Sequence, residues 1–195
     1  MAEKARTMLT FVVLSIIAYL LGSINVSIAL FRLTGREDPR THFSNNPGAT
    51  NVYRLAGPGW ALLVLLLDVA KAMLAAVIAA KWLTPPLVLW VGVAVIVGNL
   101  YPLFHGFKGG KGVGHYLGFS LAVAPAGTLV GLLVYGAAYL LKQPPFIRSL
   151  SMVSILAAAT ALKLGFHPLG LLAIVTTATL IIYAHRSNFA GWRNS

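Results

Sequence analysis

The stretch "GWALLVLLLDVAKAMLAAVIAA" (residues 59–80) is apolar over a length that can cross a bilayer, although it contains Asp68 and Lys71. A crossing helix needs about 20 mainly apolar residues. Similar runs recur along the 195-residue chain, which is 58% hydrophobic and has a mean hydropathy of +0.81. A soluble domain of this size cannot bury so much apolar surface. The sequence therefore predicts an all-α, polytopic integral membrane protein in which residues 1–195 form a single domain.

Seven apolar segments follow one another, separated by short links that are polar or contain proline. They cover residues 8–31, 59–80, 86–104, 112–123, 125–141, 149–162 and 168–184. The first three are long enough to cross a membrane, whereas the last four are short. The fourth has only about 12 residues, so we expect it to cross only where the protein is locally thin.

Basic residues mark every second link between the segments, and the positive-inside rule places such links in the cytoplasm. Seven helices then have an outside N-terminus and a cytoplasmic C-terminus. A five-span arrangement is the alternative, but it would leave two basic residues of one link outside. The basic residues are Arg32, Arg36, Arg40 and Arg54 after the first segment, Lys108 and Lys111 after the third, Lys142 and Arg148 after the fifth, and Arg186 and Arg193 after the last.

The residue counts exclude several classes of partner. The net charge is +11, but the basic residues lie at the ends of apolar runs and form no basic face with interleaved aromatics, so we expect no nucleic-acid partner. The chain has no cysteine, which excludes disulfides and thiolate metal sites. Its four acidic residues are too scattered to hold Mg²⁺. We therefore expect no metal and no cofactor. We also expect the protein to be a monomer surrounded by membrane lipid.

Three polar stretches lie in links that the charge pattern places on the cytoplasmic face. They are "HFSNNPGATNVYR" (42–54), "HGFKGGKGVG" (105–114) and "AHRSN" (184–188). In the second, glycines precede a helix N-terminus, where exposed N–H groups favour an anion, and Lys111 adds a full charge. The spacing does not match a Walker P-loop. A flexible turn with lysines that reach the interface is the simpler alternative.

The other two stretches also offer groups that could bind phosphate. Asn46 before Pro47 predicts a helix from about residue 47 to 56, with Asn46 as its N-cap and Arg54 about two turns on. His185 and Asn188 are three residues apart and would share a helix face. Capping residues alone would also explain these two patterns. Asp68 and Lys71 within the second segment are better explained as a structural ion pair than as catalytic residues.

Five ordered motifs resemble the bacterial acyl-phosphate:glycerol-3-phosphate acyltransferase family, PlsY. They are "GSI" (22–24), "SNNPGATNVYR" (44–54), "LDVAK" (67–71), "YPLFHGFKGGKGV" (101–113) and "IIYAHRSN" (181–188). The resemblance covers nearly the whole chain. It implies a seven-helix, multi-pass enzyme of the bacterial inner membrane whose active site faces the cytoplasm. Such an enzyme moves a fatty acyl chain from acyl phosphate to the 1-hydroxyl of glycerol 3-phosphate. The products are lysophosphatidic acid and phosphate, in the first step of phospholipid synthesis.

The resemblance also implies roles for individual residues. We assign the donor phosphate and the developing oxyanion to Lys111 and the amides of residues 109–112. Glycerol 3-phosphate is assigned to Arg54, Ser44, His185 and Asn188. His185 or a substrate phosphate would accept the proton, and the sequence does not separate these two. The expected catalytic residues are Ser44, Arg54, Lys111, His185 and Asn188, and the expected substrate-binding residues are Asn46, Lys108, Gly109, Gly110 and Gly112.

The chain departs from the family pattern at several positions. Phe43 and Asn45 stand where the family usually has glycine, so we expect a backbone less able to wrap an anion. Asn99 and the pair Gly114-His115 also differ from the usual residues. A carrier or channel for an organic phosphate is the alternative function. It would require access from both faces, whereas all three polar stretches are expected on one.

Overall fold

The computed structural model describes residues 1–193, and this part of the chain is helical with no strand. The expected all-α fold is therefore confirmed for these residues. Two short 3-10 turns, Pro39–Thr41 and Leu103–His105, lie in the links. The helices are α1 (Ala2–Ser23), α2 (Val26–Leu33), α3 (Ala49–Ala56), α4 (Pro58–Ala80), α5 (Pro85–Leu100), α6 (Val113–Val123), α7 (Pro125–Leu140), α8 (Pro145–Lys163), α9 (Pro168–Ala184) and α10 (Arg186–Arg193).

The first apolar segment is two helices, where the sequence predicted one. The chain turns at Ile24 and Asn25, and the Asn25 side chain accepts a hydrogen bond of 3.1 Å from the amide of Ile28. This contact caps α2 at its N-terminus, which is the usual role of an asparagine at such a position. The long apolar run therefore ends in a buried turn close to the polar links.

Four helical segments within residues 1–193 are long and apolar enough to cross a membrane: α1, α4, α5 with the turn that follows it, and α8. Together α9 and α10 make a fifth, bent by 47°. The sixth apolar segment begins earlier than expected, because Pro145 occupies the first turn of a helix of 19 residues. Among the apolar helices of the described residues, α6 and α7 are too short to cross a membrane independently.

The short α6 begins inside the protein. It packs so closely on α4 that a Cβ atom at Gly118 would lie 2.2 Å from the carbonyl oxygen of Val69. Gly114 lies beside Asp68, which is about 15 Å along α4 from its first residue at 1.5 Å per residue. The link before α6 is therefore recessed below the start of α4, which shortens the length that α6 would have to span.

The centre of the bundle is α5. In the apolar stretch that begins with α5, 61% of residues are buried, against 11% in α1. A Cβ atom at Gly22 would lie 2.1 Å from the carbonyl oxygen of Val95, and one at Gly98 would lie 2.2 Å from that of Tyr19. Two glycines thus allow the backbones of α1 and α5 to touch, as small residues do in membrane bundles. Because α5 is fixed in this way, its C-terminal end is a rigid base for the link that follows.

We predict that Gly98→Ala destabilises the protein, because the added methyl group must push α1 away from α5. Overpacking of this kind costs about 1–3 kcal/mol, which corresponds to a melting temperature lower by roughly 5 °C. Thermal unfolding in detergent, followed by tryptophan fluorescence, measures the change.

The matched control is Gly136→Ala in α7, where no neighbouring atom of residues 1–193 lies within 4 Å of the added Cβ. This variant should melt at the wild-type temperature or slightly above it, since alanine favours helix more than glycine does. Equal melting temperatures for the two variants would contradict the close α1–α5 contact.

Candidate active site

A cavity of about 280 Å³ lies where the three polar stretches meet α4, α6, α7 and α8. Its size is close to the lower end of the range for small-molecule sites. One wall is polar and the other is formed mainly by apolar side chains. Eight of the ten residues singled out in the sequence line it: Ser44, Asn46, Arg54, Gly110, Lys111, Gly112, His185 and Asn188.

Lys108 and Gly109, the other two, do not line this cavity. The side chain of Lys108 is exposed, and its carbonyl oxygen accepts a hydrogen bond from Arg40. Gly109 is packed on the end of α5, where a Cβ atom would lie 2.0 Å from the carbonyl oxygen of Asn99. Both residues therefore support the shape of the link.

The glycine link is bound to the end of α5 through its own amides. The amide of Gly110 donates to the carbonyl oxygen of Asn99 at 2.9 Å, and that of Gly112 donates to the Asn99 side-chain oxygen at 2.9 Å. The amide of Gly109 donates to Leu100. These three amides are therefore not free to bind an anion, contrary to the expected role of the link.

The N–H groups that can donate to a ligand lie at the start of α6. The N–H groups in the first turn of a helix have no partner within the helix, and in α6 these belong to residues 113–115. Val113 and Gly114 both line the cavity. Gly112 precedes them with a φ of +79°, a conformation that glycine adopts without strain. The start of α6 therefore presents N–H groups to the cavity, as expected for a helix N-terminus after the glycines, and the helix dipole there favours negative charge.

Lys111 lies between this helix start and the last polar stretch. Its ammonium group donates a hydrogen bond to the side-chain oxygen of Asn188. Partial burial lowers the pKa of Lys111 to about 8, because a charged amine loses hydration there. The side chain thus presents a positive charge at neutral pH, at the wall of a partly apolar cavity.

Arg40 ties the first polar link to the glycine link. Its Nη1 donates to the carbonyl oxygen of His105 at 2.8 Å and to that of Lys108 at 3.1 Å. Its Nη2 lies 2.6 Å from a carboxylate oxygen of Asp38, and this contact lowers the pKa of Asp38. The sequence analysis assigned Arg40 only to the charge pattern. The alternating acid and base in Asp38-Pro39-Arg40 was the available signal.

The link around Ser44 is held from two sides. The carbonyl oxygen of Pro47 accepts a hydrogen bond from the Ser27 hydroxyl at 2.9 Å. The Asn51 side chain donates to the carbonyl oxygens of Pro39 and His42 at 2.7 and 3.2 Å. Buried polar residues within or beside apolar runs, such as Ser27, were the signal for these contacts, which the sequence analysis missed.

The predicted helix after Asn46 begins two residues late, and its predicted cap is wrong. α3 begins at Ala49 with Gly48 as N-cap, and no side chain caps it. The amide of Gly48 instead turns back to the carbonyl oxygen of Asn46 at 2.9 Å. Because Pro47 is held by α2, the chain completes this tight turn before the helix can start. Asn46 is thereby left lining the cavity.

The two residues that replace glycine keep a glycine-like backbone. Phe43 has a φ of +50° and Asn45 a φ of +51°, a region that costs a non-glycine residue about 1–2 kcal/mol. Ser44 lies between them and is exposed at the cavity. Both residues therefore adopt the backbone region that glycine adopts without strain, and whether this backbone wraps an anion less well stays a prediction.

His185 and Asn188 form a corner between two helices, where the sequence predicted one continuous helix face. His185 ends α9, and the amide of Asn188 donates to its carbonyl oxygen at 2.9 Å. The buried His185 ring contacts the carbonyl oxygen of Ile181 through Nδ1 at 2.8 Å. A carbonyl can only accept, so Nδ1 carries the proton and Nε2 of the neutral ring is an acceptor. Arg186 points elsewhere and stacks on Tyr183.

The deeper polar residues of the cavity are Asp68 and His115. Lys71 lies 3.0 Å from Asp68 and also donates to the carbonyl oxygen of Ile24. This arrangement agrees with a structural ion pair, because it ties α4 to the end of α1. His115 is almost fully buried. Within residues 1–193 no three His, Cys, Asp or Glu residues are grouped so as to hold a metal ion.

Comparison with protein families gives a match over residues 12–195 to the family described as glycerol-3-phosphate acyltransferase. A protein of this name from Pseudomonas paraeruginosa (strain PA7) is 41% identical over 186 residues, covering 91% of this chain and 95% of the relative. One from Pseudomonas fluorescens (strain Pf0-1) is 39% identical over 188 residues, covering 93% and 97%.

Two solved structures share the fold. Both are crystal structures of PlsY (YgiH), described as an integral membrane glycerol 3-phosphate acyltransferase. The glycerol 3-phosphate form has a TM-score of 0.88 and 35% identity, and the lysophosphatidic acid form has 0.86 and 34%. Each comparison covers 95% of this chain and 92% of the solved chain.

We predict that Arg40→Ala loosens the glycine link, because it removes the donors to two backbone carbonyls. Hydrogen bonds from a charged group contribute about 1.5–3 kcal/mol each, so amide exchange in residues 105–112 should become faster by about tenfold or more. Hydrogen–deuterium exchange with mass spectrometry measures this.

Arg36→Ala is the control. It removes the same charge from the same link, but Arg36 stacks on Trp60 and should leave exchange in residues 105–112 unchanged. Wild-type exchange in Arg40→Ala would show that Arg40 does not hold the link.

Proposed function

The chain belongs to the glycerol-3-phosphate acyltransferase family, and we propose that its acyl donor is an acyl phosphate. As a member of this family it is an acyltransferase of the membrane that acylates glycerol 3-phosphate to lysophosphatidic acid. The resemblance recognised in the motifs is thereby confirmed, and the carrier or channel interpretation is set aside. The donor, the roles of the residues and the orientation in the membrane are our proposals.

The observation that carries the proposed donor is a cavity in which cations and helix N–H groups converge. Lys111, Arg54 and the first turn of α6 all border it. An acyl phosphate already carries a good leaving group, so the enzyme needs chiefly to hold two phosphate-bearing substrates and to align their reacting atoms. The cavity supplies positive charges that suit phosphate and amides that suit a developing oxyanion.

We assign the donor phosphate to Lys111 and the first turn of α6, and glycerol 3-phosphate to Arg54, Ser44, His185 and Asn188. The hydrogen bond from Lys111 to Asn188 supports neighbouring seats for the two substrates, because it joins one residue of each set. Gly110 and Gly112 support the link through their amides, and Asn46 borders the acceptor seat.

The reaction follows from this placement. The 1-hydroxyl oxygen of glycerol 3-phosphate attacks the acyl carbon and forms an ester bond. The bond between the acyl carbon and the phosphate oxygen breaks, and inorganic phosphate leaves with that electron pair. The hydroxyl proton ends on phosphate, either directly or through Nε2 of His185. The Nδ1 contact to Ile181 supports the second route, because it leaves Nε2 free to accept a proton.

We further propose that α1 and α4–α9 form seven membrane crossings, with the cavity open to the cytoplasm of a bacterial inner membrane and the protein acting as a monomer. Each of the seven helices overlaps one of the seven apolar segments of the sequence. The basic links around the cavity support the cytoplasmic side through the positive-inside rule. The recessed start of α6 supports a crossing by a short helix.

A donor panel tests the proposed function. Purified protein receives glycerol 3-phosphate with acyl phosphate, acyl-CoA or acyl carrier protein that carry the same acyl chain, and lysophosphatidic acid is measured. We expect product from acyl phosphate alone, and a loss of at least about 100-fold in Lys111→Met through removal of a charge that contacts phosphate.

Product from the thioesters at a comparable rate would contradict the proposed donor. Wild-type turnover in Lys111→Met would instead contradict the role of Lys111. Arg36→Met, which removes a charge of the same sign from a residue outside the cavity, is the control and should retain turnover.

We predict an alkaline limb in the pH profile of kcat/KM. Lys111 has a pKa of about 8 in the free protein, so its charge is present below that pH and is lost as the pH rises through it. Activity should therefore fall above about pH 8. In Lys111→Arg the limb should disappear, since a guanidinium stays charged, even if the rate is lower. A limb that persists in Lys111→Arg would assign the titration to another group.

A further inference from the structure

Asp68 and His115 form a second polar seat in the same cavity, outside the three polar stretches. Asp68 is on α4 and His115 is in the first turn of α6, and both line the cavity. The seat is deeply buried, with 8% of Asp68 and 1% of His115 exposed. The neighbouring side chains of Leu65 and Leu117 belong to the apolar part of the lining. The two residues thus lie where the polar and apolar walls meet.

Each residue has an atom that can form a further hydrogen bond. Nε2 of His115 has no hydrogen-bond partner within residues 1–193. Oδ1 of Asp68 lies 3.0 Å from the Lys71 ammonium, and its second lone pair can accept a hydrogen bond from another donor. A buried polar atom without a partner costs about 1–3 kcal/mol. A ligand group that satisfies both atoms would therefore bind more tightly than one that does not.

The geometry of the two atoms selects the ligand group. They lie 3.8 Å apart, too far for a direct hydrogen bond. An oxygen about 2.8 Å from each can bridge them, since it can accept from the Nε2–H group and donate to the carboxylate. One hydroxyl has this pair of functions. A phosphate would be repelled by the Asp68 carboxylate, and a metal ion would find no third His, Cys, Asp or Glu ligand within the described residues.

We propose that Asp68 and His115 bind an aliphatic hydroxyl group of a substrate and so determine specificity. The inference rests on the proposed function, because that function brings two substrates into this cavity. Two sources share the chemistry: the 2-hydroxyl of glycerol 3-phosphate, and a hydroxyl carried by the acyl chain of the donor. His115 is the specificity-determining residue, and Asp68 is held in place for it by Lys71.

Two matched substrate pairs test the proposal in the full-length enzyme. The acceptor pair is glycerol 3-phosphate and 3-hydroxypropyl phosphate, which lacks only the 2-hydroxyl. The donor pair is a 3-hydroxyacyl phosphate and the unsubstituted acyl phosphate of equal chain length. We expect the wild type to favour the hydroxyl-bearing member of one pair by about tenfold or more in kcat/KM. The pair that discriminates identifies the source.

The variant His115→Leu should reduce this preference to within about twofold, because the donor to the hydroxyl is lost. His115→Gln, which keeps an N–H donor, should restore part of it. Tyr116→Phe is the matched control: it removes a buried hydroxyl from the same helix, outside this cavity, and should keep the wild-type preference.

Indifference of the wild type to both pairs would overturn the proposal and would mean that the seat holds water or nothing. An unchanged preference in His115→Leu would also overturn it. The wild-type comparison decides the matter even if the variants do not fold. Absence of any turnover with acyl phosphate would contradict the proposed donor, which is a different result from equal turnover within each pair.

Discussion

The site depends on one positive charge, the ammonium group of Lys111, which lies partly buried at the edge of an apolar protein. Lys111 contacts Asn188 across the cavity, and partial burial makes its charged form costly to keep. A phosphate ligand would remove that cost, because it supplies the opposite charge. In the free protein we therefore expect the Lys111 ammonium to bind an anionic substrate in preference to water.

The rigidity needed for this arrangement comes from α5. The α1–α5 contact through Gly22 and Gly98 fixes α5 in the bundle, and Asn99 at its end holds the glycine link through two hydrogen bonds. Arg40 holds the same link from the other side. Glycines in the link thus serve close packing on α5 more than direct anion binding. Reacting atoms are positioned by the scaffold, which is what a transfer between two bound substrates requires.

Local patterns in the sequence predicted the apolar helices and part of the lining of the cavity. Hydropathy predicted the positions of the apolar helices. Ten site residues were expected from the sequence, and eight of them line the cavity. The sequence did not predict the contacts between distant segments. The pairing of Arg40 with the glycine link and that of Asp68 with His115 depend on packing, which one sequence does not reveal. The late start of α3 has the same origin, because α2 holds Pro47.

The most direct test of this account is a structure of the protein with glycerol 3-phosphate and a non-hydrolysable acyl phosphonate. We expect the phosphonate group and the phosphate group to lie side by side in the cavity. The phosphonate should contact Lys111 and the start of α6, and the phosphate should contact Arg54. A phosphorus group bound outside the cavity, or a Lys111 side chain in contact with neither ligand, would contradict the account.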